Sequence, residues 1–349
     1  MEILAIDLGN KQVKLKSSKA EYRFPSRLLL ERKSILDKAT QALHTLDDVD
    51  EFSMLNSKES YLIGLKIDKL NKSSDMRETI SFGRKRYNNP NFEKLIEYSL
   101  AKLSSDFEDN QSFEVVVGVP TEDYTETIIK DIIKLFNPSN KTTQQHTAVL
   151  NNQTINTLVK KTHVLPQPMG TMYDLILDND RNIKNKKIME QNLAIVDIGG
   201  GTILFDSINH FNFDTINRKQ EQSGVHKLLG LISSEYEGDI QPNVFEIENI
   251  IRSYSDSGKY IYNPTEHIQE DLTDLIQSLI DSYTEEIVQK VLSVYKDIDR
   301  FDNIVFTGGG STIINQAIVK SYLDHVIFSD NKEYSNVYGF YKYGLLISE

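Results

Sequence analysis

Residues 193–199 read LAIVDIG and residues 4–9 read LAIDLG, so the chain contains two nearly identical apolar stretches far apart in sequence. Each stretch is β-prone, carries one aspartate near its end and stops at a glycine-containing turn. Alternating apolar residues follow both stretches, which predicts a second and a third antiparallel strand in each place. The repetition therefore predicts an α/β protein made of two similar halves.

Length and composition exclude several classes of protein. The chain has 349 residues, more than one compact domain usually holds, so two domains are expected. It has no apolar run of the roughly 20 residues that cross a bilayer, and no signal-peptide profile, which predicts a cytoplasmic protein without membrane contact. The absence of cysteine excludes thiol catalysis and cysteine-based zinc sites. A net charge of -12 argues against direct binding to nucleic acid.

The first repeated stretch ends in a candidate phosphate-binding turn, Asp7-Leu8-Gly9-Asn10. A strand that stops in a tight turn exposes backbone N–H groups, which suit phosphate oxygens, and Gly9 allows close approach. Lys14 lies on the returning strand, where its ammonium could reach a phosphate. A plain β-turn with a capping aspartate is the open alternative.

The second stretch ends in Asp197-Ile198-Gly199-Gly200-Gly201-Thr202. Three consecutive glycines cost conformational entropy on ordering, a cost that is explained if their amides wrap a γ-phosphate. Asp197 would then hold Mg²⁺, through water as this hard ion prefers. A glycine-rich hairpin without a ligand is the alternative.

A third glycine segment, Gly308-Gly309-Gly310, follows the predicted buried strand 303–307 and precedes a helix. Backbone without side chains could pass flat beside an adenine and its ribose. The G-x-G-x-x-G spacing of dinucleotide-binding proteins is missing. A simple strand-to-helix turn is again the alternative.

The order of these three segments resembles the motif series of the actin/Hsp70/sugar-kinase superfamily. The resemblance implies an actin-like (ribonuclease H-like) duplicated α/β fold, with two lobes, a mixed five-stranded sheet in each, and ATP with Mg²⁺ in the cleft between them. Lobe I is expected to span 1–180 plus 330–349, with a small inserted subdomain at about 31–90. Lobe II is expected to span 181–329, with a small subdomain at about 217–275.

Within the superfamily the chain looks like the plasmid-segregation ATPases of the ParM type, from a Gram-positive plasmid. Asn10 in the first turn and the closing segment Asn336-Val337-Tyr338-Gly339 carry this resemblance. It implies ATP-dependent assembly with further copies of the chain into head-to-tail filaments, attached to DNA through a ParR-like centromere adaptor. The alternative is a small-molecule kinase of the same fold, acting on a sugar or an acid.

The resemblance also implies roles for individual residues. In the segment 164–170, Gln167 occupies the place of a residue that positions the attacking water, and a neutral amide there predicts slow hydrolysis. Glu221 falls where relatives contact ribose and base. The implied site comprises Gln167 and Asp197 as catalytic residues, Asp197 and Asp7 near the metal, and, for ATP or ADP, the residues Asp7, Gly9, Asn10, Lys14, Gly199, Gly200, Gly201, Thr202, Glu221, Gly308, Gly309 and Gly310.

The region 31–90 matches no motif. It contains a basic cluster, Arg84-Lys85-Arg86, which is interpreted as part of a solvated loop. Contact with a neighbouring subunit is the alternative for this cluster.

Overall fold

The computed structural model describes residues 1–31, 48–67, 75–79 and 83–348, without the side chains of 215–216 and 255–257. The chain forms two compact units. Unit 1 comprises Met1–Asn185 and Asn336–Glu349, and unit 2 comprises Lys186–Ser335.

The sheet of unit 1 is built on the first repeated stretch. Its strands are β1 (Glu2–Leu8), β2 (Gln12–Lys16), β3 (Glu21–Pro25), β4 (Arg27–Glu31), β5 (Val49–Met54), β6 (Ser60–Gly64), β7 (Met76–Glu78), β8 (Ser112–Val119), β9 (Gln144–Leu150) and β10 (Gln153–Pro166). The order across the sheet is β3-β2-β1-β8-β10-β9-β5-β6-β4-β7. The predicted antiparallel meander is confirmed as β1, β2 and β3.

The first five strands of this order form a mixed sheet. β1 pairs antiparallel with β2 and parallel with β8, and β10 pairs parallel with β8. The carboxyl ends of the parallel strands β1, β8 and β10 therefore meet at one edge. Asp7 lies at that edge opposite Gly118, and Gln167 directly follows β10.

The prediction of five strands is wrong for this unit, because the described sheet has ten. β9 forms a hairpin with β10, and its other edge pairs with β5 through Phe52, Ser53 and Met54. The strands of the inserted region thus continue the main sheet, since an unpaired edge of β9 was available to them.

Unit 2 repeats the arrangement with five strands, as expected. They are β11 (Asn192–Ile198), β12 (Ile203–Asn209), β13 (Asn212–Glu221), β16 (Asn303–Thr307) and β17 (Val326–Phe328), in the order β13-β12-β11-β16-β17. The pairing is antiparallel across β13, β12 and β11 and parallel across β11, β16 and β17. A separate hairpin joins β14 (Ile261–Thr265) and β15 (Ile268–Asp271).

Helices accompany both sheets. In unit 1 they span Arg84–Tyr87, Pro90–Ser104, Glu126–Phe136 and Gln167–Ile176, and in unit 2 they span Lys186–Met189, Val225–Glu235, Val244–Ser257, Thr273–Val294 and Gln316–Tyr322. A last helix spans Ser335–Ile347. None of the helices in the described residues is long and apolar enough to cross a membrane.

Each unit has its own apolar core, and unit 1 closes with a tight helix crossing. A Cβ on Gly339, in the last helix, would lie 1.7 Å from the carbonyl oxygen of Gly170, so the two backbones touch. The Thr171 hydroxyl donates to Asn336 Oδ1 at 2.8 Å beside this crossing. The crossing fixes the helix that begins at Gln167 against the sheet.

Protonation of His146 is expected to stabilise unit 1. The imidazole lies on β9, with Nδ1 2.7 Å from Glu97 Oε1 and Nε2 2.6 Å from the Phe136 carbonyl. Burial alone would lower the pKa of His146, but the hydrogen bond and charge of Glu97 and the Phe136 carbonyl raise it above its usual value. A raised folded-state pKa gives stability that is complete below the unfolded pKa and is lost as the pH rises through the folded pKa.

The measurement compares the free energy of unfolding of the wild type and of His146→Gln between pH 5.5 and 8.5. The variant is expected to be most destabilised at the acidic end. His163→Gln is the matched control. Burial lowers the pKa of His163 despite the opposing effect of Glu114, so the loss of stability in this variant should be largest at the alkaline end. A destabilisation by His146→Gln that grows with pH would contradict the assignment.

Candidate functional site

The first turn, residues 8–11, follows a buried carboxylate. Asp7 is 3% exposed, and its Oδ1 accepts a hydrogen bond from Gln167 Nε2 at 3.0 Å. Lys14, its partner across the hairpin, has its Nζ 4.0 Å from Asp7 Oδ2. The structure therefore brings Asp7, Lys14 and Gln167 together at the edge where the parallel strands of unit 1 end.

The carbonyl groups of the first turn are held by side chains and backbone of unit 1. Arg86 Nη2 donates to the Leu8 carbonyl, and the Ser26 hydroxyl donates to the Gly9 carbonyl. The peptide bonds of the described residues are all trans, so the N–H that follows each of these carbonyls points the opposite way. In the part of the chain that the structure describes, the amides of Gly9 and Asn10 have no acceptor.

Arg86 corrects the interpretation of the basic cluster as a solvated loop. Its side chain is buried, because the short helix Arg84–Tyr87 directs it beneath the first turn. Arg84 pairs with Asp131 at 2.8 Å, and Lys85 is exposed. The three basic residues therefore have three different environments.

In the second turn, residues 199–202, the carbonyls are also held by hydrogen bonds, but here the donors are backbone amides. The carbonyls of Gly199 and Gly200 accept from the first two amides of the helix Val225–Glu235, at 3.1 and 2.8 Å. The Gly224 amide donates to the Gly201 carbonyl at 3.4 Å. The helix has no side-chain cap, so the turn supplies acceptors for N–H groups that would otherwise lack them.

Three consecutive amides of the second turn are consequently directed away from that helix. Those of Gly200, Gly201 and Thr202 have no acceptor among the residues described. Successive unpaired N–H groups in a turn form a concave anion-binding surface. Both repeated turns therefore present backbone donors suited to phosphate oxygens.

The third glycine segment packs on the second turn. Gly308 has a φ of 81°, and a Cβ there would lie 2.2 Å from Asp197 Oδ1. A Cβ on Gly310 would lie 2.2 Å from Ile198 Cγ2. Glycine is required at both positions because the segment contacts the end of β11. The helix that was expected after it begins only at Gln316, after a 3-10 turn at Gly309–Thr312.

The two polar atoms of the Gln167 amide differ in their hydrogen bonding. Its side chain is 8% exposed, and Nε2 donates to Asp7. Its Oε1 is buried without a hydrogen-bond partner within the described residues, as is Asn10 Oδ1. A buried acceptor without a donor is costly, and a ligand or a water can satisfy it.

Glu221 lies beside the second turn, opposite Ile203 at the end of β13. Its carboxylate pairs with Lys219 at 2.6 Å and with Lys290. The hydrogen bonds from Lys219 and Lys290 lower the pKa of Glu221. Its position next to the turn fits a ligand contact, but its contacts in the structure are with these two lysines.

The side chains that could serve as metal ligands fit an Mg²⁺ ion that is bound together with phosphate. No group of three or more histidine or acidic side chains that could hold a metal occurs among the described residues. Mg²⁺ is usually bound by one or two carboxylates, with phosphate oxygens and water completing its shell. Asp197 is half-buried at the end of β11 and offers one such carboxylate.

Three contributors to the turns were missed from sequence. Ser26 could have been found, because the β2–β3 register places it beside Lys11, whose carbonyl accepts from the Ser26 amide at 2.9 Å. The contact between Arg86 and the first turn could not be predicted, because Arg86 lies far along the chain from Leu8. Gly224 lies three residues after Glu221, but its packing on the second turn was not predicted.

The duplicated sheet order and the paired turns define an actin-like fold. The model of the actin-like proteins' N-terminal domain matches residues 5–170, and that of the Alp7A C-terminal domain matches residues 192–338. The chain belongs to the actin-like proteins. No curated protein sequence matches it.

Solved structures with the same fold cover almost the whole chain. The apo ParM protein of pSK41 is 22% identical, with a TM-score of 0.73 over 99% of this chain and 97% of that one. The ADP complex of Ta0583, an archaeal actin homologue, is 14% identical, with a TM-score of 0.77 over 99% and 100% of the two chains. The ParM of a 15-stranded filament from Clostridium botulinum is 18% identical, with a TM-score of 0.71 over 99% of both chains.

Proposed function

We propose that this protein is an actin-like ATPase that assembles into filaments in the cytoplasm and segregates plasmid DNA. The observation that carries the nucleotide part is the pair of turns whose carbonyls are tied to the protein and whose amides are unpaired among the described residues. Such amides suit the phosphate groups of ATP. Structural relatives include an archaeal actin homologue with ADP and a Bacillus thuringiensis ParM with ATP, which supports this ligand.

Different residues would bind the phosphate groups, the nucleoside and the metal ion. Lys14 would bind phosphate as a point charge, and Glu221 and the glycine segment 308–310 would contact the nucleoside. Asp197 would hold Mg²⁺ through water, and Asp7 is assigned to the same ion. The ion would supply positive charge that offsets the charge of the transferred phosphoryl group.

Gln167 would orient the attacking water. Its Nε2 is engaged by Asp7, which leaves Oε1 to accept a hydrogen bond from a water O–H. A neutral amide cannot take the proton at neutral pH, so this group positions water without acting as a general base. Slow hydrolysis is the expected consequence.

The assembly part rests on the family and on filament-forming relatives. One structural relative is a 15-stranded ParM filament, and another is an Alp12 filament. Contacts between unlike faces of successive copies give an open filament when they do not close a ring. The net charge of -12 supports a division of labour in which a ParR-like adaptor, rather than this chain, binds the DNA.

Sedimentation and light scattering with Mg·ATP, Mg·ADP and no nucleotide test the proposal. Assembly at tens of micromolar protein with ATP, followed by disassembly as ATP is consumed, is the expected result. A protein that stays monomeric with ATP would refute filament formation. Phosphorylation of a sugar or an acid without assembly would instead identify a small-molecule kinase.

Gln167→Ala is expected to slow ATP hydrolysis by roughly tenfold to a hundredfold and to lengthen filament lifetime, because the water loses its acceptor. Phosphate release and the decay of light scattering after ATP addition measure the two effects. Gln153→Ala, at an exposed position of β10, is the control and should match the wild type. Faster disassembly of the Gln167 variant would contradict the assigned role.

A further inference from the structure

We propose that Arg86 is a positioning residue for the first phosphate turn, which it orients from beneath by binding the Leu8 carbonyl. This inference rests on the proposed nucleotide function. Arg86 is not expected to touch the nucleotide, because its contact is with the carbonyl side of the turn. It is expected to act through the direction of the amides above it.

The geometry of one peptide group carries the argument. Arg86 is 4% exposed, and its Nη2 donates to the Leu8 carbonyl. The Leu8–Gly9 peptide is trans, so this bond directs the Gly9 amide away from Arg86, into the turn. Ser26 acts on the next peptide in the same way through the Gly9 carbonyl. Two donors thus fix two successive peptide planes.

The charge of Arg86 adds a second effect. Its guanidinium lies 5.4 Å from the Phe92 ring centroid and 5.9 Å from that of Tyr87. Within the described residues no carboxylate forms an ion pair with Arg86. The Asp123 carboxylate instead accepts a hydrogen bond from the Tyr87 hydroxyl, at 2.7 Å from Oδ2. A buried cation without an ion pair is costly. Phosphate on the opposite side of the turn would supply the missing negative charge.

The same contact connects the inserted region to the ligand. Arg86 lies near the end of that region, in a short helix that ends at Tyr87 and is joined by Asn88 and Asn89 to the helix Pro90–Ser104. A shift of this helix would move the guanidinium, and with it the Leu8–Gly9 peptide. Phosphate binding and the position of the helix are therefore coupled through one hydrogen bond.

Arg86→Met tests the inference, with Arg84→Met as the matched control. Both changes remove one positive charge from the same short helix, but Arg84 is bound to Asp131 at the surface. Competition titration should give a Kd for Mg·ATP that is about tenfold weaker for Arg86→Met, and within about twofold of wild type for Arg84→Met. Arg86→Lys keeps a cation and a donor, and should lie between Arg86→Met and the wild type.

Hydrogen exchange separates positioning from general stability. With saturating Mg·ATP, the amides of residues 9–11 should exchange faster in Arg86→Met than in wild type, while those of β12 are unchanged. Equal Kd values for Arg86→Met and Arg84→Met, or unchanged exchange of residues 9–11, would overturn the inference. If Arg86→Met does not fold, Arg86→Lys replaces it with an expected loss of about threefold, and wild-type affinity then overturns the inference. A wild type that binds no ATP would refute the proposed function itself.

Discussion

Gly224→Ala is expected to weaken the binding of Mg·ATP by about a hundredfold. A Cβ at this position would lie 2.5 Å from the Gly199 carbonyl oxygen and 2.6 Å from the Thr202 nitrogen. Both are backbone atoms of the second turn, so no side-chain rotation can relieve the overlap. The helix Val225–Glu235 must then separate from the turn. The carbonyls of the turn thereby lose the Val225 and His226 amides that orient it.

Gly230→Ala is the matched control, because it makes the same change inside the same helix. Apart from its chain neighbours and the backbone of its own helix, no atom of the described residues lies within 4 Å of a Cβ on Gly230. Alanine in a helix interior is favoured over glycine by roughly 0.5–1 kcal/mol, so this variant should be slightly stabilised and should bind ATP normally. Isothermal titration and thermal melting of both variants provide the comparison. Wild-type affinity in Gly224→Ala would mean that the second turn does not bind phosphate.

Asp197→Ala is expected to reduce Mg²⁺-dependent ATP hydrolysis by about a hundredfold to a thousandfold. The half-buried carboxylate lies at the end of β11, beside the second turn, whose amides are unpaired among the described residues. Its removal would take away the proposed anchor for the ion. The fold should survive, because the carboxylate packs against Gly308 and its truncation creates space rather than overlap.

Asp302→Ala is the control for this experiment. Asp302 is exposed and lies at the opposite end of the same sheet, where its Oδ2 accepts from the Asn192 amide at 2.8 Å. Phosphate release should be normal in this variant, and thermal melting should show both variants folded. Turnover by Asp197→Ala equal to that of Asp302→Ala would remove Asp197 from its assigned role.

Local patterns in the sequence determined the duplicated architecture. The stretches ending at Asp7 and Asp197 predicted two three-stranded meanders, and both are present. The hairpin between β9 and β10 was also predictable, because Asn151 and Asn152 adopt the positive φ angles that a tight turn requires. These features depend on side-chain alternation and turn chemistry within a few residues, which a sequence displays directly.

Contacts between distant segments decided the rest. The ten-stranded sheet of unit 1 depends on the pairing of β5 with β9, and backbone pairing across so long a separation leaves no pattern in either strand. The orientation of the first turn depends on Arg86, whose basic neighbours suggested a solvated loop. The sequence by itself determined two glycine turns that could bind phosphate. The tertiary structure decided which way their amides point, because the groups that hold the opposing carbonyls come from elsewhere in the chain.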